Sequence, residues 1–416
     1  MAIIMFGAAS VSLSRTKSRR RSVPPGWLTC CLAVSTVAFQ GCSSVPARNG
    51  VPEAMVERAT ISGMPLARWW GDELPADLDQ RLSIVRDQLE TAGDEDAHVV
   101  HHYLSVSGGG ANGAFGAGLL KGWTESGTRP EFWIVTGVST GALIAPFAFL
   151  GSDYDDELER FYTTTSTADI LKQRNILAGL TGDALGDSTP LRELLARIID
   201  EAFVVAIGAE YRRGRRLWIS TTNLDVQRPV IWNIGFLADI NTPESRQLIR
   251  DVMLASASIP GVFPPVRIQV EADGEPYDEL HVDGGTSSQV FLYPAELDFR
   301  EAIEAAGVVG EQSVYVIRNA LPFARWEEVS PKLFPVSRAS LSSLIRTQGI
   351  GDLFRIYVGA TRDNINFNLA FIPSSFDLVP EEAFDPTYMR ALFDLAYDLS
   401  RDGYDWVREP IELRER

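Results

Sequence analysis

The 416-residue sequence predicts an α/β fold in which a parallel or mixed sheet is covered by helices on both faces. Three observations predict it. From position 99 onward, short apolar runs alternate with stretches of helical periodicity. Two of the first strands end in glycine-rich turns that open directly into apolar helices. Residues 97–416 contain no internal repeat and no low-complexity linker, so they read as one domain.

Composition narrows the function. Lys and Arg total 38 against 55 Asp and Glu, a formal charge of −17, which argues against a nucleic-acid partner. Hydrophobic residues at 45% and charged residues at 22% exclude a largely disordered or collagen-like chain. The three cysteines, Cys30, Cys31 and Cys42, are all near the N-terminus. Nothing after Cys42 can therefore form a disulfide, a cysteine zinc site or a thiol nucleophile.

The elements follow in order. Arg15, Lys17, Arg19, Arg20 and Arg21 form an acid-free cluster ahead of the 13-residue apolar run Trp27–Phe39, which Gly41-Cys42 closes. A helical bilayer span needs about 20 residues, so this run reads as a bacterial export signal rather than an anchor. Its closing Cys resembles a lipoprotein signal, which implies removal of residues 1–41 and a lipid on Cys42. The mature chain, having lost those five cations and no acid, would then carry −22 and would need the anchor or apolar contacts to stay at an anionic membrane. The expected location is the cell envelope, at the outer membrane or in the periplasm. Residues 42–97 read as a flexible tether, over 43–56, and a helical lead-in with Leu78, Leu82, Val85 and Leu89 at helical spacing. Val99–Ser107 is the first strand, Ala114–Trp123 a helix, Phe132–Thr136 the second strand and Ala142–Leu150 a buried helix. Further strands are expected at Leu217–Thr222, Val230–Asn233, Leu280–Val282 and Ser313–Arg318. Helices are expected at Leu191–Ala202, Arg246–Ala257, Ala295–Ala306 and Leu341–Gly359. Trp69, Trp70, Trp123, Trp326, Phe334 and Phe354 are core or interfacial aromatics.

Three motifs carry chemistry. Gly137-Val138-Ser139-Thr140-Gly141 places a serine in a tight strand-to-helix turn, with its hydroxyl exposed and a helix N-terminus beneath it. Ser107-Gly108-Gly109-Gly110-Ala111-Asn112-Gly113 can turn backbone N–H groups inward as a nest for an anion or oxyanion. Gly108, Gly110 and Gly113 also satisfy a dinucleotide fingerprint, but the next strand ends in Val135-Thr136-Gly137 and its only acid, Glu131, lies at the start. No Gly-Lys-Ser/Thr follows, which excludes a P-loop. The third motif is Val282-Asp283-Gly284-Gly285, an apolar strand delivering a carboxylate beside two small residues. As a tripeptide it also reads as a hairpin turn. His98, His101, His102 and His281 all precede the position where a Ser-acid-His order would put its histidine, so each reads as structural. A carboxylate must then act on Ser139 directly or through water, which needs a dry or constrained site to raise its basicity, and Asp283 is a candidate.

In this order, and without a usable histidine, the motifs resemble the patatin-like phospholipase family. Ser256-Ala257-Ser258-Ile259-Pro260-Gly261-Val262-Phe263-Pro264-Pro265 is similar to the family's small-residue and Phe-Pro-Pro segment, and Pro190-Leu191 also fits. The likeness covers about residues 100–295. It implies a three-layer α/β/α fold with a catalytic core at 98–295 and residues 296–416 completing the same domain. It also implies Ser139 as nucleophile, Asp283 as base, and an oxyanion hole from Gly108, Gly109 and Gly110. Gly113, Gly137, Gly141, Gly284 and Gly285 are the motif glycines. The expected activity is hydrolysis of lipid carboxylic esters through an acyl-enzyme, without cofactor or metal. A small-ester esterase and a non-catalytic lipid- or partner-binding lipoprotein are the alternatives. Asn112 stands where the family commonly has Arg, which puts phospholipid head-group preference in question.

Overall fold

A computed structural model describes residues 48–92, 101–173, 184, 186–294, 296–308 and 310–413. Cys30, Cys31, Cys42, His98, the export signal and most of the loop at 91–97 lie outside the described residues.

The first described residues already belong to the folded body. Arg48 pairs with Asp225 and Asp278, both at 2.7 Å, and Gly50 bridges to Asp278, so the tether expected over 43–56 does not extend past position 47. Strand β1 (Arg68–Trp70) follows, then helix α1 (Leu78–Ala92), β2 (His101–Val106), α2 (Gly113–Glu125), β3 (Phe132–Val138), α3 (Thr140–Leu150) and α4 (Asp155–Thr164). Next come α5 (Thr189–Ile198) and α6 (Glu201–Arg212). The single helix expected at Leu191–Ala202 breaks between them because the Asp200 side chain accepts from Phe203 N–H at 2.8 Å and starts a new helix. Strands β4 (Arg216–Asn223) and β5 (Arg228–Asn233), helices α7 (Ile234–Ile240) and α8 (Pro243–Ser256), and strands β6 (Val266–Ala272) and β7 (Glu275–Asp283) complete the middle of the chain. The last third holds α9 (Phe299–Ala305), β8 (Gln312–Arg318), α10 (Leu333–Arg362), β9 (Asn366–Phe371) and α11 (Pro386–Ser400). Helix α9 begins four residues later than expected, where Asp298 caps the Glu301 N–H at 2.9 Å, and α10 extends the expected Leu341–Gly359 in both directions.

Among the described residues nine strands form one mixed sheet, seven of them in the order β1-β5-β4-β3-β2-β8-β9. Strands β4, β3, β2, β8 and β9 run parallel to one another, while β5 runs antiparallel to β1 and β4. Strand β7 pairs antiparallel with both β4 and β6. The alternation along β4 separates the two faces. Leu217 and Ile219 enter the core beneath α2, α3 and α11, whereas Trp218 turns to the face covered by α1, α9 and α10. Helix α3 is apolar all round because it is enclosed: every residue from Thr140 to Phe149 is buried. Trp123 is core, Trp69, Trp70 and Phe354 are half-buried, and Trp326 is 87% exposed.

Candidate active site

Two strands meet end to end at the site. Along one edge of β4, β3 pairs with Arg216–Ser220 and β7 with Thr221–Asn223, so Val138 lies opposite Ser220 and Asp283 opposite Thr221. The parallel strand therefore ends just before Ser139, where the antiparallel strand ends at Asp283. Ser139 Oγ donates to Asp283 Oδ2 at 2.6 Å, across 144 positions of sequence.

The serine is held in an unfavourable backbone conformation. Its φ of 55° and ψ of −124° put a residue with a Cβ in a region that costs about 1–3 kcal/mol. The surroundings fix it. Its N–H donates to Ser256 Oγ at 3.0 Å, and that hydroxyl donates to the Ser220 carbonyl at 2.7 Å. Close approach also explains the flanking glycines. A Cβ on Gly137 would overlap the Gly141 carbonyl, and one on Gly141 would overlap the Val106 carbonyl. Helix α3 starts at Thr140, so its positive end lies beside the hydroxyl.

Asp283 is buried, and this loss of solvation pushes its pKa up to about 7. Hydrogen bonds from Ser139 and from the Gly285 N–H, the latter 2.7 Å from Oδ1, oppose the rise. The Asp283 N–H donates to the Ser258 carbonyl at 3.0 Å, so the small-residue segment after α8 positions both Ser139 and Asp283. Gly284 packs against the Ser220 carbonyl with no room for a Cβ.

The glycine turn lies across from the serine, and its donors are two rather than three. The Gly108 N–H is engaged with the Gln289 carbonyl at 3.1 Å, which corrects its expected place in the oxyanion hole. Among the described residues, no acceptor takes the N–H of Gly109 or Gly110. Gly110 has a φ of 58° and borders the cavity in front of Ser139. Asn319 braces this turn: its N–H donates to Ser107 Oγ at 2.9 Å, its Nδ2 to the Ser107 carbonyl at 3.0 Å, and its Oδ1 accepts from Gly116 at 3.0 Å. A Cβ on Gly109 would overlap the Asn319 carbonyl oxygen, and one on Gly113 would overlap Thr140 and Tyr162. Asn112 accepts from the Tyr388 hydroxyl at 2.7 Å, tying the turn to α11.

The histidines are elsewhere engaged. His281 bonds Thr221 at 2.9 Å through Nδ1 and Glu279 at 3.0 Å through Nε2, and Glu279 is paired with buried Arg68. Burial lowers the His281 pKa. His101 stacks on Trp133 with ring centroids 4.3 Å apart, and His102 packs against Tyr315 on the opposite face of the sheet.

The space beside Ser139 is a small apolar slot of about 30 Å³. Leu143, Ile259, Phe263, Phe384 and Met389 wall it, so the last hundred residues contribute to the site. Sequence reading misses Asn319, Gln289, Phe384 and Met389. Ser256 is quoted in a motif, but its grip on the Ser139 N–H is visible only in three dimensions.

Residues 104–296 match the model of a family described as patatin-like phospholipase. The chain carries a patatin-like phospholipase domain. Solved structures similar to the chain include VipD from Legionella pneumophila, at 13% identity and a TM-score of 0.35, aligned over 74% of this chain and 71% of that one. The human GIVD cytosolic phospholipase A2 aligns at 13% identity and a TM-score of 0.29, over 68% of this chain and 52% of its own. The chain thus spans about half the length of that human enzyme. No curated protein matches the sequence. The mixed sheet flanked by helices is the fold expected of the patatin-like domain.

Proposed function

We propose that the patatin-like domain is a serine lipid acyl hydrolase in which Ser139 is the nucleophile and Asp283 its base. One observation carries the reading: a serine hydroxyl in a strained turn donates at 2.6 Å to a buried aspartate whose pKa is raised to about 7. A base with that pKa is half ionised near neutrality and is far stronger than a solvated carboxylate.

The steps follow from the arrangement. Asp283 takes the Ser139 proton as Oγ bonds to the ester carbonyl carbon. The carbonyl oxygen becomes an oxyanion facing the N–H groups of Gly109 and Gly110 and the positive end of α3. Collapse breaks the ester C–O bond, and the alcohol leaves with the proton held by Asp283. Water then gives a proton to Asp283 and attacks the acyl-Ser139, and collapse returns the proton to Ser139 Oγ as the fatty acid departs. The apolar slot favours an acyl chain over a polar acid, and it must widen by movement of the Phe384 and Met389 wall to admit one. The reading extends to a catalytic core at 98–295, completed by residues 296–416, and to a lipid on Cys42 that holds the domain at the cell envelope.

Hydrolysis of phospholipid vesicles and of p-nitrophenyl esters of rising chain length tests the substrate. The expected result is a rate that rises with chain length and vanishes in Ser139→Ala and Asp283→Asn. Equal rates on acetate and long-chain esters would support a small-ester esterase, and no turnover by folded protein would support a binding role. Mass analysis of the envelope-extracted protein, showing or lacking an acylated Cys42 terminus, tests the anchor.

A further inference from the structure

A cavity far larger than the slot at Ser139 lies elsewhere in the fold. It holds about 930 Å³ on the opposite face of the sheet, and neither Ser139 nor Asp283 borders it. Its size is at the upper end for small-molecule pockets, roughly 300–1,000 Å³. It runs across β5, β4, β3 and β2 under a roof of α1, α9 and α10. Three interstrand spacings make it roughly 14 Å across the sheet. Its walls are mostly apolar, including Val85, Trp133, Ile231, Ile303 and Ile356.

One stripe of β4 gives this cavity polar groups that lack their usual partners. Arg216 is 6% exposed; its guanidinium lies 4.5 Å over the Tyr211 ring and its hydrogen bonds go to neutral oxygens, the Tyr211 carbonyl at 3.4 Å, the Arg215 carbonyl at 3.0 Å and Gln88 Oε1 at 2.8 Å. No carboxylate among the described residues pairs with it, whereas the adjacent Arg215 is paired with Glu210 at 2.7 Å on the other face. Buried guanidinium groups are ordinarily paired. Burial lowers the Arg216 pKa to about 10; Tyr211 opposes the shift and Arg81 adds to it. Two and four positions along the same stripe, Trp218 Nε1 and Ser220 Oγ are buried without a hydrogen-bond partner. All three residues border the cavity. An apolar trough bordered by a buried cation that has no carboxylate partner among the described residues, and by two idle polar atoms on the same strand, matches an amphiphile with an anionic head.

We propose that this cavity is a second lipid site, separate from Ser139, that takes a long-chain fatty acid with its carboxylate on Arg216 and its chain along β2 to β5. Because Ser220 also gives its carbonyl to Ser256, the residue holding the Ser139 N–H, an occupant of this cavity touches the strand that supports the nucleophile. The proposal does not depend on Ser139 being reactive.

The test is titration of the full chain with oleate, with oleyl alcohol, and with 9,10-dibromostearate, whose bromines quench nearby tryptophans. The expected result is one oleate bound per chain, at least tenfold weaker binding of the alcohol, and bromine quenching that diminishes in Trp218→Phe. Arg216→Met should erase the preference for acid over alcohol. Val85→Trp, which puts an indole into the chain's path and keeps Arg216, should weaken oleate at least tenfold while a thermal melt shows a folded protein; it carries the test if Arg216→Met does not fold. Absence of oleate binding, binding unchanged in Val85→Trp, or equal affinity for acid and alcohol would each overturn the proposal. Failure of oleate to bind while esters are still hydrolysed would remove the second site alone.

Discussion

Asp283→Asn should make the protein inactive and, above neutral pH, more stable. The native carboxyl has a pKa raised from 3.8 to about 7 by burial, so the folded state holds its proton in a range where the unfolded chain has lost it. The sign follows from proton counting: the native state binds more protons than the unfolded state between about pH 4 and 7, so stability falls as pH rises through that window and levels off above it. Three pKa units at 1.36 kcal/mol each give about 4 kcal/mol of destabilisation at pH 8 relative to pH 3. An asparagine keeps the shape, can still accept from the Gly285 N–H, and carries none of this pH dependence. Urea unfolding of wild type and Asp283→Asn across pH 4–8.5 measures the difference, in which the other titrating groups cancel. The advantage of the asparagine protein should grow by a few kcal/mol up to pH 7 and then stay flat. A difference that is the same at pH 4 and pH 8.5 would refute a buried, proton-retaining Asp283.

Other perturbations give separate readings. The rate of acylation in wild type should rise tenfold per pH unit below about 7 and plateau above it, measured as kcat/KM on a p-nitrophenyl ester. Ser256→Ala leaves the Ser139 N–H without its acceptor, and kcat should fall at least tenfold with KM little changed and a stability loss of about 1–3 kcal/mol by urea unfolding. Gly109→Ala forces a Cβ onto the Asn319 carbonyl and should reduce kcat by two orders of magnitude or more, as loss of an oxyanion donor does, whereas Gly108→Ala should act through displacement of Gln289 and Ser139. His281→Gln should lower stability, because it disturbs the bonds to Thr221 and Glu279, while the pH profile of kcat/KM keeps its inflection near 7.

The parts of the site that were legible in the sequence are those fixed by local backbone demands. Gly137 and Gly141 flank Ser139 because a tight turn excludes Cβ atoms there, and such a constraint leaves a short, recognisable pattern. The same holds for Asp283 with Gly284 and for the turn at Gly108–Gly110. What makes these pieces one site is not local. Strand β7 abuts the end of β3 only because both pair with the same edge of β4, a register that no single segment encodes. Gly108 also illustrates the limit: it belongs to the motif, yet its N–H faces Gln289, 181 positions away. Strand β6 escapes notice behind Pro264-Pro265, and β9 is obscured by its alternating asparagines, of which Asn368 is buried by bonding the Val314 carbonyl at 3.1 Å. The wall formed by Phe384 and Met389 depends on α11 packing against α2, whose Gly118 and Gly122 allow close approach by Phe393, Tyr397 and Ser400.

The central claim is that Ser139 is activated by Asp283 and by no other group. Intact-mass analysis of the full chain after a fluorophosphonate pulse, at pH 5, 7 and 9, tests it most directly. One adduct per chain is expected, with a labelling rate that climbs with pH and levels off above about 7, and no adduct in either Ser139→Ala or Asp283→Asn. Labelling of Asp283→Asn at the wild-type rate, or no adduct on folded wild-type protein, would contradict it.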